Sequence, residues 1–397
     1  MGEKHSTLIT TSTVPSCYAK PVFVDRNPIQ QILIRSQQAT IKHGENHREI
    51  SVQLETGEAI YVTSGSPQLS PGERVLRVPK ASFGQLHKSG NLSSATWAGD
   101  RRLLASNEVN RSLAGQFRFK ADNRAQGIYG LRSPQLGAVH AVLGYWTTNE
   151  AEPATVVMPT GTGKTDTMIA LFCAAEVERL LIVVPTDTLR SQIAEKVMSL
   201  GVLQNFEVVS RTCHRPVVGQ IKHGFKTVEN AVLFADQCNV MVATPSALSA
   251  SSVEVRNALF ACCSHLFVDE AHHVTASTWR IVCDEFSRKP VVQFTATPFR
   301  EDGRHLGGRF VYKFPLREAQ RQGYFSRIDY VSVLDLGNHD RTIAQRAIEK
   351  LREDLAAGYD HLIMARVKSI RRATEVLSIY QQLAPDLGPD VLHSQLR

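Results

Sequence analysis

Residues 155–168 read "TVVMPTGTGKTDTM", an apolar run that ends in a Gly-rich turn and passes into a stretch of helical pattern. A strand that delivers into Gly161-Thr162-Gly163-Lys164-Thr165, with a helix following, is the context a phosphate-binding loop requires. The glycines let backbone N–H groups face phosphate oxygens at a helix amino terminus. Thr160 enters the turn, Lys164 reaches the β- and γ-phosphates, and the Thr165 hydroxyl ligates Mg²⁺. An ordinary Gly-rich turn between strand and helix is the alternative, and Lys164 with Thr165 directly after the glycines argues against it. Met158 stands where the strict G-x-x-x-x-G-K-[ST] spelling has its first glycine. That position needs glycine only where φ is positive or space is short, so the cradle is expected to be intact.

Outward from this stretch, the runs "RLLIVVP", "NVMVATP", "SHLFVDE" and "PVVQFTATP" are continuously apolar and alternate with helical periodicity. Strands buried on both faces by helices look like this, which predicts an α/β doubly wound parallel sheet. Each run ends in a polar turn, the place where open parallel sheets put their ligands. In "HLFVDEAHH", Asp269 can hold Mg²⁺ through water and Glu270 can orient and deprotonate an attacking water. The cap of a helix is the plainer reading of that tetrapeptide, and it weakens once a phosphate loop precedes it. His265 and His273 are read as structural.

The chain has 397 residues, 43% hydrophobic and 21% charged, with a net charge of +7. That length implies two to three domains, and no apolar run approaches the roughly 18 residues of a membrane helix. The first twenty residues lack a secretory pattern, and the seven cysteines are odd in number without a C-x-x-C. Together these features lead to the expectation of a cytoplasmic, reduced protein without a membrane span. The mild positive charge fits contact with polyanions without establishing it.

Residues 1–120 are expected to form a small β-rich accessory domain. In "EISVQLETGEAIYVT" the pair Thr56-Gly57 separates two alternating segments, a hairpin signal. Residues 121–320 hold the α/β unit. From residue 325 onward a second α/β unit is expected, with strands at "RIDYVSVLDL", "HLIMA" and "VLHSQL" and helices over Thr342–Ala357 and near Ser369–Gln381. It is too short to close a sheet, which predicts an incomplete lobe. The span 210–228 carries Arg211, Arg215, Lys222 and Lys226 with no Asp or Glu, and reads either as a nucleic-acid contact or as a solvated basic loop.

Taken in order, "LRSPQLGAVHAVL", "MPTGTGKT", "VVPTDTLRSQ", "VATPSAL", "DEAHH" and "TATPFRED" resemble the successive motifs of superfamily 2 helicases and translocases. The likeness is greatest to the branch of restriction-enzyme motor subunits and DEAH-type repair and defence helicases. It spans Leu131–Asp302 and, more thinly, Tyr330–Arg397.

The resemblance implies a RecA-like P-loop NTPase lobe followed by a partial second one, and ATP with Mg²⁺ as cofactors. It implies a nucleic-acid partner, with DNA the expectation over RNA, and a nuclease or other defence or repair subunit. Gln135, with Arg132 beside it, matches the adenine-reading segment. Lys164, Asp269, Glu270 and His272 match the catalytic set, with Thr165 and Asp269 at the metal. Thr295 and Thr297 match the segment that couples the nucleotide site to the nucleic-acid site through His272. Pro185 and Thr186, Thr244 and Pro245 match loops that hold a strand's backbone, and Arg366, Lys368, His393 and Ser394 match strand-end motifs of the second lobe. Plain helix capping explains Thr186 and Thr244 as well, and a solvated basic helix start explains Arg366 and Lys368.

No segment after Asp269 resembles the Q-x-x-G-R-x-x-R motif that supplies an arginine finger in the family. Loss of such a finger lowers turnover by about 10³–10⁵, so these residues are expected to bind ATP and hydrolyse it slowly. A regulatory module that binds nucleotide and nucleic acid with little catalysis is the alternative.

Overall fold

The computed structural model describes residues 10–43, 50–70, 72–86, 90–148, 150–273, 286, 289–299, 306–326, 328, 330–335, 337 and 339–393. They divide into two compact units, Met1–Phe325 and Ser326–Arg397.

The main sheet of the first unit is built on the apolar runs. Its order among the described residues is Arg309–Lys313, Ala154–Val157, Val291–Thr295, His265–Val268, Leu180–Val183, Val240–Ala243, Val218–Ile221, Asn27–Gln30 and Val22–Val24. The seven strands from Arg309–Lys313 to Val218–Ile221 pair in parallel. Every residue of Ala154–Val157, Leu180–Val183 and Val240–Ala243 is buried, because helices such as Ser133–Trp146, Lys164–Ala174 and Asp187–Met198 cover the sheet. The expected α/β doubly wound sheet is therefore present.

The strand order sets up the site. Ala154–Val157 and His265–Val268 flank Val291–Thr295, with Val157 opposite Thr295 but Val268 opposite Gln293. The middle strand thus runs two residues past its neighbour and carries Thr295 out between the loops that follow the other two.

Residues before 120 contribute to two cores. A six-stranded sheet runs Thr10–Val14, Gln37–His43, Ile50–Gln53, Ala59–Thr63, Arg74–Arg77 and Thr96–Gly99, with its own core around Val52, Leu76 and Leu86. The hairpin expected at Thr56-Gly57 is there, with Gly57 at φ 87° and the Leu54 N–H donating to the Glu58 carbonyl at 2.8 Å. Residues 22–30 instead form a hairpin that extends the main sheet, pairing Gln30 with Val218 in antiparallel fashion. Val109 and Leu113 of helix Ser106–Leu113 also lie in the main core. The span 210–228 is docked rather than loose: the Asn27 side chain accepts from the Lys222 and His223 N–H groups at 2.7 and 2.9 Å.

The second unit corrects one expectation. Helices form at His339–Ala356 and Ile370–Leu383, near the predicted spans, with Ser369 capping the second. The strands expected at "RIDYVSVLDL", "HLIMA" and "VLHSQL" are not formed among the described residues. Leu362 is 94% and Met364 90% exposed. A parallel strand needs a neighbour to accept its backbone bonds, and among the described residues none pairs with these runs. No described helix is long and apolar enough to cross a membrane.

Candidate functional site

Met158 ends its strand fully buried in the core, with no positive φ, and its N–H donates to the Thr295 carbonyl at 2.9 Å. The side chain packs beneath the loop, its sulfur 3.9 Å from the Thr167 hydroxyl oxygen, which donates to the Gly163 carbonyl at 3.0 Å. Glycine is thus not required at this position. Met158→Gly, which restores the strict motif spelling, should lower stability by about 2–5 kcal/mol by opening a cavity. Equilibrium urea unfolding measures this, and an unchanged midpoint would contradict the packing role.

The two glycines that follow do need to be glycine. Gly161 has φ 88° and Gly163 φ 95°, and a Cβ on Gly163 would lie 2.3 Å from the Gln135 Nε2. Between them Thr162 is buried and its hydroxyl donates to the Pro159 carbonyl at 2.6 Å, which folds the turn back on itself. Gly163 then caps helix Lys164–Ala174, whose first N–H groups have no partner within the helix and whose first-turn residues Lys164, Thr165 and Asp166 line a cavity.

Lys164 is 8% exposed, and its Nζ lies 3.1 Å from the Glu270 Oε1. Glu270 has φ 47°, a left-handed conformation uncommon for a residue with a side chain, and its N–H donates to the Asp269 Oδ1 at 3.0 Å. This turn aims both carboxylates at one place. Burial, and then the charge of Glu270, push the Asp269 carboxyl up to about 6, against the opposing pull of Lys164. The Glu270 Oε2 is buried without a hydrogen-bond partner, 3.5 Å from the His272 Nδ1.

The His272 Nδ1 lies 3.0 Å from the Thr295 Oγ1. That hydroxyl donates its single proton to the Thr297 carbonyl at 2.7 Å and accepts from the Thr297 N–H at 3.3 Å. It must therefore accept from His272 as well, which places a proton on Nδ1.

A cavity of about 430 Å³ joins the loop to the two carboxylates, lined by Thr160, Gly161, Gly163, Lys164, Thr165, Asp269 and Glu270 among others. Gln135 also lines it, 4% exposed, with both ends of its amide engaged: Oε1 accepts from the Arg132 N–H at 2.8 Å and Nε2 donates to the Gly163 carbonyl at 3.2 Å. The Arg132 guanidinium lies over the Tyr324 ring at 5.5 Å. Sequence reading missed a platform beside them, in which Arg124 lies 4.5 Å over Tyr129 and 5.9 Å from Phe206. Phe206 is far in the chain from Arg124 and Tyr129 and the three share no period, so only the fold reveals it.

Mg²⁺ is the cofactor the fold implies. A buried carboxyl that its surroundings hold toward protonation, beside a second carboxylate with an unpartnered oxygen, fits a divalent cation. Thr165 and Asp269 are the residues that would hold it, with the remaining positions left to phosphate oxygens and water.

The candidate strand contacts are placed differently. Thr186 is exposed and caps helix Asp187–Met198, its hydroxyl accepting from the Leu189 N–H at 3.3 Å. Thr244 caps helix Pro245–Ser249 and is only 3% exposed, so its hydroxyl is turned into the protein. Both caps match the plainer alternative read from the sequence. Arg366 and Lys368 are exposed in the second unit, as is part of His393, and Ser394 lies outside the described residues.

Residues 128–300 match the family model of the type III restriction enzyme, res subunit. The match covers less than half of the chain, and over that segment the chain resembles the motor subunits of restriction enzymes. No curated protein matches the chain. Three similar solved structures are a nuclease-deletion mutant of the type ISP restriction-modification enzyme LlaGI in complex with a DNA substrate mimic, the UvsW helicase from bacteriophage T4, and the Pyrococcus furiosus Hef helicase domain. Their identities are 15%, 15% and 19%, with TM-scores of 0.33, 0.31 and 0.30. The matches cover 57%, 49% and 62% of this chain, and the chain spans 23%, 61% and 53% of the respective structures.

Proposed function

We propose that this chain is the ATP-hydrolysing part of a DEAH-type translocase or helicase that acts on a nucleic-acid strand, with DNA as the polymer and a repair, restriction or defence complex with a nuclease subunit as its setting. The observation that carries this is the line of contacts Lys164–Glu270–His272–Thr295–Thr297. It starts at the phosphate cradle and ends on the loop after the middle strand.

ATP enters as substrate with its phosphates over Gly161–Lys164 and its base toward Arg124 and Phe206. Its β- and γ-phosphates compete with Glu270 for the Lys164 ammonium. Magnesium, when bound, neutralises charge developing on those phosphates. Glu270, its Oε2 open for a hydrogen bond, takes a proton from water as the water oxygen attacks the γ-phosphorus, giving ADP and phosphate. His272 senses the change through the same carboxylate, 3.5 Å from Oε2, and passes it to Thr295. Slow turnover by these 397 residues in isolation belongs to the proposal.

Thr295→Val keeps the shape of this fully buried residue while removing the acceptor of the His272 proton. Basal hydrolysis should change little, whereas stimulation by nucleic acid should fall by about 5–150-fold, the usual size of such coupling. Equal stimulation in variant and parent would end the coupling role.

ATP hydrolysis with and without single-stranded DNA tests the whole reading. Binding of ATP with turnover that a strand accelerates supports a motor. ATP binding without turnover under any strand supports the regulatory module instead, and absence of ATP binding refutes both.

A further inference from the structure

We propose that the cavity between the N-terminal sheet and the first lobe is a second anion site, distinct from the phosphate loop, which takes a phosphorylated ligand between Arg35 and Arg215. The cavity measures about 410 Å³, and none of the phosphate-loop residues lines it. That volume falls in the range of small-ligand sites, about 300–1,000 Å³.

Its charge is unbalanced. Four arginines, Arg35, Arg74, Arg211 and Arg215, face two glutamates, Glu55 and Glu58. One of those glutamates is already engaged, since the Glu55 Oε2 pairs with the Arg211 Nη1 at 2.8 Å. Arg35 and Arg215 form no ion pair among the described residues. The Arg35 Nη1 donates to the Asn205 Oδ1 at 3.1 Å, a neutral acceptor, while the Arg215 Nε is buried with no hydrogen-bond partner. Burial, and then the charge of Arg35, bring the Arg215 guanidinium down to about 10.

A like-charge pair held half out of water is costly unless something negative lies between its members. The backbone of Arg215 is held in place by the Gln31 side chain, which donates to its carbonyl at 2.8 Å. Two planar guanidinium groups suit the tetrahedral oxygens of a phosphate, which each can bind through two N–H donors. The basic span 210–228 thus finds a use that a solvated loop would not have. Arg215 comes from that span and Arg35 from the N-terminal part of the chain, so an occupied site ties the two parts together.

The test uses the full chain carrying Lys164→Ala, to remove the anion affinity of the phosphate loop. Inorganic tripolyphosphate is titrated by calorimetry and by thermal unfolding. Arg35→Gln should weaken tripolyphosphate binding at least tenfold and abolish the anion-induced rise in midpoint, without lowering the midpoint in anion-free buffer. Arg215→Gln should weaken it further, and Arg35→Gln decides alone if that variant fails to fold. Equal affinity in Arg35→Gln and its parent, or no affinity in the parent, overturns the proposal.

The source of the phosphate is read by competition. Displacement by a 5′-phosphorylated oligonucleotide but not by its 5′-hydroxyl twin assigns a strand end, and displacement by AMP but by neither strand assigns a free nucleotide. Either result supports the site.

Discussion

Glu270→Gln is expected to bind ATP at least as tightly as the parent chain and to lose hydrolysis by about 10²–10⁴-fold. The amide keeps the shape of the side chain, so the cradle of Gly161 and Gly163 stays as it is. What changes is charge. A glutamine cannot accept the proton of an attacking water, and the oxygen that lies unpartnered at Oε2 is the one placed to do so. Lys164, freed from the ion pair that holds it 3.1 Å from Oε1, is available to the phosphates without a competitor. Affinity therefore holds or rises while the chemical step fails. Fluorescent-nucleotide titration beside a phosphate-release assay separates the two. Turnover within tenfold of the parent would remove Glu270 from the role of base, whereas a loss of affinity would assign it to binding.

Much of this site was legible before any coordinates, because the residues that make it sit at strand ends. An apolar run followed by a polar turn marks where a parallel sheet presents chemistry. The runs ending at Met158, Asp269 and Thr295 each did so, and the sheet sets them side by side. Gln135 was legible as part of the site but not in its manner of acting. A helix-start glutamine looks the same in sequence whether it faces a base or, as here, bonds to the Arg132 N–H and the Gly163 carbonyl. The hairpin at Thr56-Gly57 was legible because a turn needs a residue that accepts positive φ.

Contacts between distant segments were not legible. The hairpin of residues 22–30 extends the main sheet by backbone bonds, which any side chain allows. The platform of Arg124, Tyr129 and Phe206, and the pair Arg35 and Arg215, have no period to betray them. "HLIMA" shows the opposite failure. Its apolar pattern is that of a buried strand, yet burial depends on neighbours rather than on the run itself, and Leu362 and Met364 lie exposed.

Lys164→Ala should weaken ATP binding by about 30–3,000-fold, the range that corresponds to the roughly 2–5 kcal/mol lost when one partner of a desolvated charge pair is truncated. Two effects act in the same direction. The ammonium that meets the phosphates is gone, and the Glu270 carboxylate, until then balanced by it, stands beside Asp269 to repel the incoming phosphate charge. Lys164 also draws the Asp269 pKa down, so its removal drives that carboxyl further toward protonation and away from holding a cation. Lys164→Arg retains charge but not shape at a position only 8% exposed, and should recover part of the lost affinity at most. Adding Glu270→Gln to Lys164→Ala separates the two effects: if repulsion contributes, the double variant binds ATP more tightly than Lys164→Ala alone. An affinity for ATP within threefold of the parent in Lys164→Ala would mean that the phosphates do not rest on this loop, and the assignment of the cavity to nucleotide would fall with it.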